Sequence, residues 1–191
     1  AEVRRNPASG GFIIRRDSES APLLAELAAK FGLSFPAADA APPEGEPLRS
    51  PRIGLYRGHV PIMDEGWTRW VLEDYEFPYR SVGNARLKRG GLNADFDVIV
   101  LPDAEPRTLH AGYLEGALYE SAEMPVEFTG GIEDEGAAAL RRFVRQGGTL
   151  LALNRASQYA LDRLKAPAGN VLKGLSRAQF YSPGALLNVA V

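Results

Sequence analysis

The run Asp97-Val98-Ile99-Val100-Leu101 sets four consecutive aliphatic residues between an acidic start and a Pro102-Asp103 stop. A strand without alternation of apolar and polar positions needs cover on both faces, as in a parallel sheet flanked by helices. That requirement organises the chain from Pro51 onward. Arg52-Ile53-Gly54-Leu55-Tyr56 and Thr149-Leu150-Leu151-Ala152-Leu153 read as further buried strands, and Phe77 to Val82 as another. Helical patterns separate them. In the first, Glu65 to Tyr75, residues Trp67, Trp70, Val71 and Tyr75 share one face and are expected in the core. Asn84 to Gly91 reads as a short turn or helix. Glu133 to about Gln146 turns Ile132, Ala137, Leu140, Phe143 and Val144 inward. Its acids (Glu133, Asp134, Glu135) open it and its arginines (Arg141, Arg142, Arg145) close it, matching the helix dipole before Gly147-Gly148. Ala156 to Leu164 is a further helix. The alternation predicts a flavodoxin-like, doubly wound α/β domain with a mainly parallel sheet.

Ahead of it the reading gives residues 1–36 as a strand–helix segment and 37–50 as a linker, with 51–191 as the α/β domain. Phe12-Ile13-Ile14 is the strand, and Ser20 is expected to cap a helix over Pro22 to Phe31. Leu23, Leu24, Leu27 and Phe31 form its stripe, Gly32 its stop, and Leu33 to Phe35 a second short strand. The apolar run Leu186 to Val191 reads as a strand cut short, so the chain is expected to be a piece of a longer polypeptide.

A formal charge of −2 lacks the basic footprint of nucleic-acid binding, so no nucleic-acid partner is expected. No apolar run approaches the roughly 20 residues of a membrane span, so no membrane partner is expected. Cysteine is absent, which removes disulfides, zinc–thiolate sites and thiol nucleophiles together.

Three stretches carry a resemblance: Arg52 to Tyr56 with Met63-Asp64-Glu65-Gly66-Trp67-Thr68-Arg69-Trp70; Phe96 to Asp103; and Thr129-Gly130-Gly131-Ile132 with Phe143 to Leu153. Together they resemble the class I glutamine amidotransferase-like domain C-terminal to the catalytic domain in large bacterial zinc carboxypeptidases of the carboxypeptidase A type. Met63 to Trp70 is its most specific part, and the resemblance spans roughly Pro51 to Val191, more weakly Gly11 to Phe35. It implies an extracytoplasmic bacterial protein, periplasmic or secreted, whose peptide hydrolysis is done elsewhere in the parent polypeptide. The implied partners are that catalytic domain and a second copy of the chain. Zinc is expected only in the catalytic domain, and this chain is expected to hold no cofactor. A zinc carboxypeptidase site needs a His-x-x-Glu pair; here His59 is followed at that spacing by Ile62, and His110 by Tyr113.

An amidotransferase needs a cysteine on a tight strand-to-helix turn, then a histidine and a carboxylate. The matching turn reads Asn154-Arg155-Ala156-Ser157, and no histidine follows His110. Ser157 has no downstream imidazole to take its proton. Asn154 or Ser157 is expected simply to cap the next helix.

Ligands of doubly wound sheets sit beyond the carboxyl ends of the strands. That rim holds Arg57 and His59, then Asp103 and Glu105, then Asn154 and Arg155. Basic, acidic and amide groups there could take a zwitterion such as a peptide or amino acid; against this, strand ends are polar because they meet water. A cation between Asp103 and Glu105 lacks the acidic pair after the first strand that phosphoryl-transfer receivers use. Asp64 and Glu65 beside the tryptophans point apart on a helix, which rules out paired acid–base work; Asp64 reads as a cap and Glu65 as a dipole partner. Thr129-Gly130-Gly131 reads as a turn and cap.

The leading expectation is a non-catalytic accessory domain, which should expose an apolar docking patch. The alternative, a small-molecule or peptide-binding module, requires a concave pocket enclosed by Arg57, Asp103 and Asn154. An independent hydrolase with carboxylate chemistry stands third. Thr108 to Phe128 reads as either a helix pair or an ordered excursion over the sheet.

Overall fold

Residues 3–6, 11–37, 46–116, 118–119 and 122–181 are described by the computed structural model. They belong to two units whose boundary in sequence lies between Ser50 and Pro51.

In the first unit, β1 (Val3–Arg5) runs antiparallel between β2 (Phe12–Ile14) and β3 (Glu46–Pro47), with α1 (Ser20–Phe31) after β2. β3 falls inside the segment read as a linker. Pro47 is tolerated there because β3 is an edge strand, where a missing N–H costs little. Leu33 to Phe35 is not a strand. Ser20 is not the cap either: it is buried, its hydroxyl donating to the Arg15 carbonyl at 2.7 Å and accepting the Asp17 N–H at 2.8 Å. Asp17 closes the helix start instead, Oδ1 accepting the N–H groups of Ser20 (2.8 Å) and Glu19 (3.0 Å). The Ser20 bonds hold its carboxyl below the usual carboxylate range. Gly32 ends α1 in the left-handed region at φ 63°, as expected. The run at 186–191 lies outside the described residues.

The second unit is α/β, a four-stranded parallel sheet flanked by helices. Its strands are β4 (Ile53–Tyr56), β5 (Tyr79–Val82), β6 (Val98–Leu101) and β9 (Thr149–Ala152), in the order β5-β4-β6-β9. α2 (Met63–Asp74) links β4 to β5, and α3 (Asn84–Lys88) links β5 to β6. α4 (Pro106–Ala111), a two-residue hairpin β7 (Leu118–Tyr119) and β8 (Ala122–Glu123), and α5 (Glu133–Arg145) precede β9; α6 (Ala156–Asp162) follows it. This order is compatible with a flavodoxin-like fold. Among the described residues, Thr108 to Phe128 therefore contains the end of α4, a small hairpin and a 3-10 turn at Val126–Phe128 rather than a helix pair. Arg52 fixes the start of the sheet: its guanidinium grips Asp97 at 2.9 and 3.1 Å, tying the entrance of β4 to that of β6.

Side chains alternate along each strand, so the two faces can be told apart. Tyr56, Val82, Ile99 and Leu101 meet Leu87 of α3, Leu109 of α4, Leu140 and Phe143 of α5, and Tyr159 of α6 in the main core. Gly54 faces the same layer, where a Cβ would lie 2.7 Å from Ile99 Cδ1 and 2.8 Å from Val82 Cγ2. On the opposite face Ile53, Leu55 and Val100 pack beneath Leu72 of α2. Leu151 on that face is 49% exposed, and Thr149 is exposed too.

Two core expectations are corrected. Trp67 (59% exposed), Trp70 (57%), Val71 and Tyr75 face outward, because Leu72 and the nearly buried Glu65 define the inner side of α2. Val144 is also exposed, while Ile132, Ala137, Leu140 and Phe143 are buried as expected. Behind α5 two backbones touch: Ile132 donates to the Leu109 carbonyl at 2.8 Å and Gly130 to that of Tyr113 at 2.7 Å. A Cβ on Gly131 would lie 2.5 Å from the His110 oxygen, so glycine is required there. Among the described residues no helix is long and apolar enough to cross a membrane.

Candidate functional site

β9 leaves the sheet through a sharp turn in which Asn154 adopts φ 43°, and α6 starts two residues later. β6 ends alongside, and two residues past it stands Asp103. Asp103 Oδ2 accepts from Asn154 Nδ2 at 2.8 Å, and Oδ1 accepts from Arg155 Nε at 2.7 Å and its backbone N–H at 3.2 Å. The guanidinium of Arg155 also reaches Glu105 at 3.2 Å and Asp64 at 3.7 Å. Four of the six rim residues thus converge, joined by Asp64 from the first turn of α2.

The capping expectations fail together. α6 has no side-chain cap of its own; Asp103 accepts the Arg155 N–H from the neighbouring strand and leaves Asn154 and Ser157 no such role. α2 begins after Ile62 without a side-chain cap, and Asp64 pairs with Arg155. Glu65 turns inward to Arg69. α5 also lacks a side-chain cap: Thr129 donates to Val126 at 2.7 Å, and Glu133 pairs with Lys88 at 2.8 Å.

Arg57 and His59 line a cleft of their own, about 200 Å³, with Pro61, Ile62 and Glu65. The His59 ring packs at 5.2 Å against Phe128. That volume is below the roughly 300 Å³ at which small-molecule sites begin. His110 sits in the helical layer, its ring 6.2 Å from that of Tyr159 and its Nε2 4.0 Å from Asp134. A cavity of about 700 Å³ belongs to the first unit, between Phe12, Ile14, Leu24, Phe35, Arg4 and Arg15, and no predicted site residue lines it.

The electrostatics of the rim are those of a clamp. Burial pushes the Asp103 carboxyl up, but the bonds from Arg155 and Asn154 outweigh it and hold it below the usual range. Those same bonds, Asp103 first, hold the Arg155 guanidinium above its ordinary value. With three carboxylates around one guanidinium, Arg155 offers no free positive charge to the carboxylate of a zwitterion. Among the described residues no group of three or more His, Cys, Asp or Glu is placed to hold a metal ion.

One polar node escaped the sequence reading. The buried Tyr56 hydroxyl donates to Asn84 Oδ1 at 2.7 Å, and Asn84 Nδ2 donates to the Gly130 carbonyl at 3.1 Å. It ties the end of β4 to the start of α3 and the turn before α5, and burial raises the Tyr56 phenol well above its ordinary value. The available signal was an asparagine directly after Val82-Gly83, at a strand-to-helix turn. No protein-family model, no curated protein and no solved structure matches this chain.

Proposed function

We propose that this chain is a non-catalytic accessory domain on an amidotransferase-like scaffold, serving a larger zinc carboxypeptidase-like protein. The observation that carries the proposal is the turn after β9. Its backbone kinks into the left-handed region at Asn154, and on this reading the turn Asn154 to Ser157 is where an amidotransferase would carry its nucleophile. In that position stands an amide already committed to Asp103. An amide nitrogen has no available lone pair for attack on a carbonyl, and the chain has no cysteine to replace it. The wider context rests on the resemblance of Arg52 to Tyr56 with Met63 to Trp70, of Phe96 to Asp103, and of Thr129 to Ile132 with Phe143 to Leu153: an extracytoplasmic parent whose catalytic domain is the partner and holds the zinc. The exposed stripe on α2 supports a docking role.

Two measurements test this. The purified chain, given glutamine or a peptide with a free C-terminus, should release neither ammonia nor the terminal residue above the uncatalysed rate. Release at an enzymatic rate would falsify the non-catalytic reading. The coding sequence upstream of Ala1 should contain a His-x-x-Glu and a later histidine; their absence removes the carboxypeptidase context.

A further inference from the structure

We infer that α2 and the bare face of β9 form a self-complementary surface through which two copies of this chain pair around a two-fold axis. The inference takes the same exposed stripe that supports the docking role above and commits it to a second copy of this chain. Among the described residues, the main-core face of the sheet carries α3, α4, α5 and α6, whereas the opposite face carries α2 alone. Leu72 seats α2 over Ile53, Leu55 and Val100, and β9 is left bare at Thr149 and Leu151. A parallel sheet is normally covered on both faces. The bare strip is β9 alone, since Val100 on the neighbouring β6 is buried in the layer that holds Leu72.

The outer surface of α2 is shaped to fill such a strip. Met63, Trp67, Trp70, Val71 and Tyr75 recur at helical spacing, each between 46% and 79% exposed, and the two indoles meet edge-on at 6.2 Å. Aromatic side chains carry about 150–250 Å² each, so this stripe presents on the order of 500 Å² of apolar surface. That lies within the roughly 300–600 Å² of a monomer's largest patch, which is often functional, and with the bare face of β9 it approaches the roughly 800 Å² per partner of a standard interface. Asp74 lies in the same stripe near its end and is suited to the rim.

Direction follows from a contact already described. Asp64 reaches Arg155, just past β9, so the side of α2 carrying Asp64, Val71 and Tyr75 looks toward β9. A two-fold axis parallel to the strands lays each α2 over the partner's bare strip. Trp67 and Trp70 then meet the partner's Leu151 side, and the two copies of Val71 face each other across the axis. The interface is isologous and closes at two copies.

The test uses the full chain, which has no cysteine, so one introduced thiol is unique. Sedimentation should show a concentration-dependent dimer, and Trp70→Glu on this exposed position should weaken it at least about tenfold. Val71→Cys should form an intermolecular disulfide under mild oxidation, and Glu135→Cys, exposed on the other helical layer, should not. A wild-type chain monomeric at every concentration overturns the inference. So does a dimer indifferent to Trp70→Glu, or a Val71→Cys that cross-links no faster than Glu135→Cys. Neither result bears on glutamine or peptide hydrolysis.

Discussion

Asn154 Nδ2 lies 2.8 Å from Asp103 Oδ2, so the residue at the tip of the strand-to-helix turn is held by the residue that closes the adjacent strand. Asn154 also sits at φ 43°, a region asparagine tolerates and alanine resists. Asn154→Ala is therefore expected to cost about 1–2 kcal/mol, combining the backbone penalty with the lost bond. Asn154→Gly loses the bond, keeps the backbone at ease, and should cost less. Urea denaturation of both variants decides it: a glycine variant weaker than the alanine one contradicts the account.

The same carboxylate gives stability a pH dependence. Asp103 is held below its ordinary 3.8 in the folded chain, so the unfolded chain binds more protons as pH falls. Its contribution is complete above 3.8 and is lost as pH drops through the lower folded value. Asp95, held down first by its bond to Arg86, acts in the same direction. Asp103→Asn should be less stable than wild type at about pH 7, and the gap should narrow toward pH 3. A gap that widens in acid would show that Asp103 is not stabilised by its charge.

Tyr56 and Tyr159 are both fully buried, yet the same substitution should affect them oppositely. Tyr56 donates to Asn84, so Tyr56→Phe strands a buried acceptor and should cost about 1–3 kcal/mol. Among the described residues the Tyr159 hydroxyl has no hydrogen-bond partner, and burial raises its phenol far above the ordinary value. Tyr159→Phe removes a polar atom that nothing satisfies and should be neutral or stabilising. Thermal melts of the two variants, read against wild type, test the pair. Equal losses would mean that Tyr159 is satisfied by something outside the chain.

These contrasts mark how far the sequence could be read. The strand Asp97 to Leu101 and the helix after Glu133 were legible because each pattern allows one solution: cover on both faces, or one inward stripe. β1 and β3 were not, since two or three residues carry no period and only pairing makes them strands. The aromatic stripe of α2 was legible as a stripe but misassigned to the core. Amphipathic spacing says that residues share a face; Leu72 and Glu65, on the other side, decide which face meets the sheet. At the rim, Asp103, Glu105, Asn154 and Arg155 were found by topology. Their mutual saturation was not, because it depends on Asp64 arriving from α2.

Two glycines give the sharpest test of the sheet packing. Gly54 in β4 has no room: an added Cβ would press on Ile99, Val82 and Phe96 at 2.7–3.0 Å, all of them core atoms. Overpacking of this kind costs about 1–3 kcal/mol, more than the roughly 0.4–1 kcal/mol that alanine recovers from the unfolded chain. Gly66 is exposed in the first turn of α2, and nothing lies within 4 Å of its Cβ position. There the entropic gain stands alone, and Gly66→Ala should raise stability by about 0.5–1 kcal/mol. Guanidinium denaturation of the two variants should therefore move the midpoint in opposite directions. If Gly54→Ala is as harmless as Gly66→Ala, the layer between β4 and its helices is looser than the Ile99 and Val82 distances require.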